Sequence, residues 1–155
     1  MEIEYLIYLK DNPSGNWSVE PISLQEIVHL EKLYTNGNSF PKALKELLFL
    51  AGKYCYVLDY GVFESQQQMQ DFVRSEMVDE NRVITRPFFA VDVYNSGDQF
   101  IFIYLDEGDD PPTYEAHLYH DPMRDGGDWI WQVTPSLSAL INHGIDRVKQ
   151  GRNPF

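Results

Sequence analysis

The chain has 155 residues, 43% hydrophobic and 14% aromatic, which excludes a disordered chain and is enough for one well-buried core but short for two. Its 24 acidic and 12 basic residues give a net charge of −12, which disfavours nucleic acids and anionic membranes and favours a basic protein partner or simple solubility. No apolar run approaches the roughly 20 residues that span a bilayer, and the acidic first residues are not typical of a secretory signal.

The first half of the chain predicts two strands and three helices. The predicted strands cover 3–9 and 54–60, and the predicted helices begin at Ser23, between Ser39 and Pro41, and at Ser65. Ser23 with Glu26, and Ser65 with Gln68, match the capping box in which a serine caps the helix three residues before a Glu or Gln. We expect the three helices to end near Gly37, Gly52 and Val78.

The second half predicts an antiparallel sheet followed by a closing helix. The predicted strands cover 88–94, 100–105, 114–119 and 129–133, with a turn at 95–98. Thr134 and Pro135 predict the cap and the first residue of the closing helix. Helices, then successive strands, then a helix indicate a single α+β domain over 1–155, with helices packed mainly on one face of the sheet.

The segment from Asp98 to Tyr119 predicts a β-hairpin with an anionic tip. The tip, hereafter the acidic turn, consists of Asp106, Glu107, Gly108, Asp109 and Asp110. The wider segment 92–128 holds ten acidic residues and one base, and therefore most of the net charge of the chain. An exposed anionic edge on a rigid sheet suits electrostatic docking to a protein better than it suits catalysis.

Several stretches together resemble the SUKH superfamily. They are 30–33 (LEKL), 40–48 (FPKALKELL) with Gly52, 88–90 (FFA), 97–103 (GDQFIFI), the acidic turn with Pro112, and 131–141. The resemblance covers about 23–143 and leaves 1–22 as an extension. This superfamily includes the fungal Smi/Knr-type cell-wall assembly regulators and bacterial toxin-immunity relatives. The resemblance implies an α+β domain without catalytic machinery that binds a protein, such as a nuclease toxin.

The residues with possible chemistry give no recognisable active site. The acidic turn lacks the alternating spacing of an EF-hand, and His117 and His120 on one strand would point to opposite faces unless the strand ends between them. The single cysteine, Cys55, lies in an apolar run, so we interpret it as a buried thiol typical of a cytoplasmic protein. We expect no enzyme, metal or cofactor, although spatially paired carboxylates stay open.

Trp129 and Trp131 alternate on a predicted strand, so both should face one side, which is either core or an exposed interface. The candidate partner-binding residues are Asp98, Asp106, Glu107, Asp109, Asp110, Tyr114, Tyr119, Asp121, Asp125, Asp128, Trp129 and Trp131. We expect a cytoplasmic immunity protein that neutralises a cognate, basic toxin through these residues. The alternatives are a regulatory or scaffold protein with endogenous partners and a small-molecule-binding protein.

Overall fold

The computed structural model describes residues 1–15 and 17–155, which form six α-helices and four β-strands. The helices are α1 (Ile7–Asp11), α2 (Leu24–Tyr34), α3 (Lys42–Ala51), α4 (Gln66–Asp79), α5 (Pro122–Asp125) and α6 (Leu137–Lys149). The strands are β1 (Phe88–Tyr94), β2 (Gln99–Tyr104), β3 (Thr113–His117) and β4 (Ile130–Thr134), and a short 3-10 helix, Asn95–Gly97, joins β1 to β2.

The four strands form one antiparallel sheet in chain order, so β1 and β4 are its two edges. The predicted hairpin is present: β2 pairs with β3 from Gln99 opposite His117 to Phe102 opposite Tyr114. The acidic turn therefore lies at one end of the sheet, which we call the turn end. The connection 118–129 between β3 and β4 lies at the opposite end, which we call the loop end, together with Asp98.

Both faces of the sheet are covered. On one face, which we call the helical face, Phe89, Val91, Ile101 and Ile103 are buried against apolar residues of α1, α2, α3 and α6. On the other, which we call the α4 face, Ala90, Phe100, Phe102 and Ala116 pack with Met69, Val73 and Met77 of α4. The predicted α+β class is confirmed, with four of the six helices contributing to one face. Burial on both faces explains why β1 and β2 read as nearly continuous apolar runs.

Side chains close the outer edge of β1. The amide of Gln70 accepts a hydrogen bond from the Ala90 N–H and donates one to the Ala90 carbonyl, both at 2.8 Å, as a neighbouring strand would. Arg74 donates to the Phe88 carbonyl at 2.9 Å, and the Val93 N–H donates to the Asp59 carbonyl at 2.9 Å. Gln70 and Ala90 are fully buried, so these bonds satisfy backbone groups that water cannot reach.

Both capping boxes are correctly placed. The Ser23 hydroxyl accepts from the Glu26 N–H and the Ser65 hydroxyl accepts from the Gln68 N–H, each at 3.1 Å. The closing helix starts two residues later than predicted, because β4 extends to Thr134. Ser136 is its cap, and its hydroxyl accepts from the Ala139 N–H at 3.1 Å.

The prediction of a strand at 3–9 is wrong, because Ile7–Asp11 is helical. The buried Glu46 carboxylate, about 40 residues away in the chain, accepts from the N–H groups of Glu4, Tyr5 and Leu6 at 2.8–2.9 Å. These donors precede and open α1, so a tertiary contact supplies the acceptor that a local cap would give. The helix then buries Leu9, with Leu6 just before it.

The prediction of a strand at 54–60 is also wrong. Tyr54 makes one isolated bridge with Glu20, and turns follow it. Four consecutive residues, 55–58, are buried in the core of the helical face. The apolar run thus reflects packing inside a buried connection, a case that sequence periodicity does not separate from a buried strand.

Candidate functional site

Arg86 engages two of the four carboxylates of the acidic turn. Its Nη2 lies 2.5 Å from Asp106 Oδ1 and 2.9 Å from Glu107 Oε1. The hydrogen bond from Arg86 lowers the pKa of the Asp106 carboxyl below its ordinary value. Because Arg86 and Asp106 are exposed and Glu107 is only half-buried, the ion pairs add little stability, but they already satisfy both carboxylates within the chain.

The other two acids connect the turn to two helices. Asp110 Oδ1 accepts from the Ser138 N–H at 2.9 Å, and its Oδ2 accepts from the Ser138 hydroxyl at 2.5 Å. This places a negative charge on the first turn of α6, where the helix dipole favours it. The Asp109 carbonyl accepts from the Ala43 N–H of α3 at 2.8 Å. Among the described residues, only Asp109 keeps an exposed turn carboxylate with no hydrogen bond or ion pair.

Tyr114 belongs to the aromatic packing of the α4 face. Its ring centroid lies 4.9 Å from that of Tyr104 and 5.7 Å from that of Phe102, and its hydroxyl donates to Glu107 at 3.0 Å. Its side chain is half-buried. Tyr114 therefore fixes Glu107 and the turn rather than standing free as an apolar anchor.

The remaining predicted residues lie at the loop end. They are Asp98, Tyr119, Asp121, Asp125, Asp128, Trp129 and Trp131. The twelve predicted residues are thus divided between opposite ends of the sheet and do not form one surface. Asp98 is half-buried at the start of β2, and its carbonyl accepts from the Leu118 N–H at 2.9 Å.

Residues 121–128 form an uninterrupted exposed stretch at the loop end. Asp121 caps α5 by accepting from the Met123 N–H at 2.9 Å, and Asp125 pairs with Arg124 at 2.9 Å. The Arg124 hydrogen bond holds the pKa of Asp125 well below its ordinary value, so this carboxylate stays ionised at neutral pH. Asp128 accepts from the adjacent Trp129 N–H at 2.7 Å and is exposed.

Exposed apolar side chains stand among these carboxylates. Met123 is 95% exposed, Tyr119 48% and Trp131 39%. Sequence reasoning did not select Met123, although its isolation among polar residues and glycines in 120–128 was a usable signal. Acids and exposed apolar groups therefore occur together at this end of the sheet. The loop surface, as we call it, comprises Tyr119, Asp121, Met123, Asp125, Asp128 and Trp131.

Trp129 and Trp131 do not share one side. Trp129 precedes the first residue of β4, so strand alternation does not apply to it. Its ring packs on the α4 face, and the Arg82 guanidinium carbon lies 5.2 Å from the centroid of that ring. Trp131 pairs with Glu115 across the ladder and lies on the opposite face, with its ring 6.2 Å from that of His120. Of the two, Trp131 is the one available to a partner.

The two histidines come closer than strand alternation predicts, because β3 ends at His117. Their ring centroids are 6.4 Å apart, and His120 Nε2 lies 2.7 Å from the Gly126 carbonyl. Across 1–15 and 17–155, no group of three or more His, Cys, Asp and Glu side chains is placed to hold a metal ion. The expectation that the chain uses no metal or cofactor stays a prediction.

Cys55 is 2% exposed, as its apolar run predicts. Burial raises the pKa of its thiol to about 12, so the nucleophilic thiolate is scarce at neutral pH. This environment is typical of a structural cysteine.

Comparison with known proteins gave no match to a protein-family model, a curated protein or a solved structure. Among the described residues, the helices are all too short or too polar to cross a lipid bilayer.

Proposed function

We propose that this chain is a non-catalytic protein-binding domain of the SUKH kind, acting in the cytoplasm as an immunity protein that neutralises a cognate basic toxin. The observation that carries the proposal is the loop surface, where three exposed aspartates occur in the same part of the fold as the exposed side chains of Met123 and Trp131. Protein interfaces combine apolar anchors with a polar rim, and this combination occurs here on a chain of net charge −12.

The proposed mechanism is occlusion. Carboxylates of the loop surface would occupy the basic substrate groove of a nuclease-like toxin, with Met123 and Trp131 as apolar anchors. Opposite charge would accelerate the encounter, as it does for other acidic inhibitors of basic proteins. The acidic turn contributes Asp109 and long-range charge, since its other carboxylates are engaged within the chain.

Co-expression with the product of the neighbouring gene tests this proposal. An immunity protein restores growth to cells that produce the toxin, and the two proteins co-purify. The double variant Met123→Ala/Trp131→Ala is expected to weaken the complex about tenfold or more, as loss of interface anchors does. Val28→Ala/Val62→Ala is the control, because these side chains are 48% and 94% exposed and belong to α2 and to the connection before α4 rather than to the loop surface. Continued cell death with the wild-type protein present would remove the proposal.

A regulatory or scaffold protein with endogenous partners is the first alternative, and the identity of the neighbouring gene distinguishes it. A small-molecule-binding protein is the second, and one cleft favours it. That cleft has a volume of about 750 Å³ and is lined by aromatic residues including Trp17, Tyr54, Tyr60, Phe63 and Phe155. A metabolite that binds there would raise the melting temperature in a dose-dependent way.

A further inference from the structure

The two edges of the sheet differ in how their backbone groups are satisfied. The outer edge of β1 is closed by Gln70, Arg74 and the backbone of Asp59. At the outer edge of β4, within the described part of the chain, no other segment pairs with Ile130–Thr134 beyond the β3 ladder. Among the residues that the structure describes, the only side-chain hydrogen bond to the backbone of β4 is local, from Gln132 Nε2 to the Thr134 carbonyl at 3.3 Å.

The ladder identifies which groups point outward. The His117 N–H donates to the Trp129 carbonyl at 2.9 Å, so the backbone groups of His117 face β4. Glu115, two residues earlier in β3, faces β4 as well, and its partner Trp131 therefore faces β3. The N–H and carbonyl groups of successive residues in a strand point to opposite edges of the strand. The N–H and carbonyl groups of Ile130 and Gln132 therefore point away from the sheet, where they are free to pair with another strand.

The side chains of β4 do not guard this edge. Natural edge strands are protected by lysines, inward charges, prolines, bulges or covering segments. The ladder of β4 has one bulge, at Val133, which follows the paired residues Ile130–Gln132. Ile130–Thr134 contains no charge and no proline, and Pro135 comes only after it. Trp131 is 39% exposed on the helical face, and Val133, the unpaired residue of the bulge, is 41% exposed, so both side chains are available to an added strand.

The charges near this edge select the partner. Between Thr113 and Thr134 the chain carries Glu115, Asp121, Asp125 and Asp128 against a single base, Arg124, which is paired with Asp125. Arg82, from outside this segment, lies over the Trp129 ring and donates to the His120 carbonyl, so acids outnumber bases here four to two. A second copy of the chain would bring the same charge of −12 to the edge. A strand that carries lysines or arginines meets complementary charge instead.

We propose that β4 receives an extended, basic segment of the partner protein, which adds a fifth strand to the sheet. Main-chain hydrogen bonds to Ile130 and Gln132 give affinity, and contact with Trp131 and Val133 together with the aspartates of the loop surface gives specificity. This inference rests on the proposed binding function and specifies how the partner engages the loop end.

Amide hydrogen exchange with a defined probe tests the inference. The probe is a capped eight-residue peptide of alternating lysine and valine, and the matched control peptide alternates glutamate and valine. At saturating lysine peptide, the exchange rates of the Ile130 and Gln132 amides are expected to fall at least about tenfold, because exchange then requires release of the peptide. The Trp131 amide, already bonded within the ladder, should change little, and the glutamate peptide should protect neither outward amide.

Gln132→Pro removes the outward N–H, and proline is tolerated where the N–H of an edge strand faces solvent. Gln132→Ala loses the same side chain but keeps the N–H. The proline variant is expected to bind the lysine peptide at least about tenfold more weakly than the alanine variant, and to neutralise the toxin less well. The exchange data on the wild-type protein do not depend on how the proline variant folds.

Three results would overturn the inference. If the lysine peptide binds but does not slow exchange of the Ile130 and Gln132 amides, strand addition is ruled out. The proposed binding to the acidic loop surface would not be affected by that result. Absence of lysine-peptide binding, with Gln132→Pro still neutralising the toxin fully, would leave the proposed function intact and place the interface elsewhere. Protection of the same amides without peptide, accompanied by a doubled molecular mass, would identify a second copy as the occupant.

Discussion

Asp92 is a buried carboxylate in the edge strand β1. It is 7% exposed, and its Oδ1 accepts from the Asp59 N–H at 2.8 Å. Burial, with a smaller contribution from the charges of Asp59 and Glu115, raises its pKa from 3.8 to about 7 against the opposing effect of that hydrogen bond. A residue with no part in the candidate site thus couples the stability of the fold to pH.

The folded protein therefore holds the Asp92 proton up to about pH 7, whereas the unfolded chain releases it near pH 4. Because the folded state binds more protons between these values, the free energy of unfolding falls as pH rises through this window. Asp92→Asn is expected to remove this dependence and to stabilise the protein at pH 8 by about 1–3 kcal/mol. Urea unfolding at pH 5 and pH 8 measures the free energy of unfolding at both values, with Asp109→Asn as control. The same change in this free energy with pH for Asp92→Asn and wild type would contradict the prediction.

Asp110 and Asp109 are adjacent acids with different roles. Asp110 accepts two hydrogen bonds from Ser138 on the first turn of α6, whereas the carboxylate of Asp109 is exposed and has no partner among the described residues. Asp110→Ala is expected to lower the free energy of unfolding by about 1–2 kcal/mol, as loss of a helix cap does, and Asp109→Ala by less than about 0.5 kcal/mol. Denaturant titration compares them, and equal losses would show that the α6 contact is not stabilising.

At the scale of the element, one side chain of α4, Gln70, satisfies both backbone groups of Ala90 at the outer edge of β1. Gln70→Leu would leave the N–H and carbonyl of Ala90 buried without partners, so the free energy of unfolding is expected to fall by about 2–4 kcal/mol. Ser75→Ala, at an exposed position of the same helix, is the control and should have little effect. If the free energy of unfolding of Gln70→Leu falls by less than about 1 kcal/mol, a buried water molecule must take the place of the Gln70 amide.

Elements whose signals are local were predictable from the sequence. Ser23 and Ser65 mark helix starts through bonds to residues three positions away, and the hairpin follows from two apolar runs around a polar turn. Elements that depend on distant contacts were not. Helix α1 is opened by Glu46, and the buried connection 54–60 is fixed by the core and by β1.

The candidate site follows the same rule. The acidic turn was predicted at the tip of a hairpin, and it is there. Its engagement was not predictable, because Arg86 precedes Asp106 by 20 residues and Ser138 follows Asp110 by 28. Local sequence places charges on a loop, whereas only the packed chain determines which charges are already paired.

At the scale of the whole molecule, the two acidic ends should differ in their contribution to binding. The triple variant Asp121→Asn/Asp125→Asn/Asp128→Asn is expected to bind the lysine–valine peptide about tenfold more weakly at low salt. Its affinity should also depend less on salt concentration. Asp106→Asn/Glu107→Gln/Asp109→Asn removes three carboxylates at the turn end and should have a smaller effect, because Arg86 already pairs with two of them. Calorimetric titration at two salt concentrations measures both, and equal effects would mean that net charge alone governs binding.

The asymmetry of the sheet also sets how far the protein can polymerise. A fibre that grows by strand addition needs two sheet edges with unpaired backbone groups on every molecule, one for each neighbour in the fibre. Here Gln70 and Arg74 occupy one edge, so each molecule is monovalent in this respect. Edge-to-edge association therefore terminates at a pair, and the exposed β4 can be kept for a partner without seeding a growing aggregate.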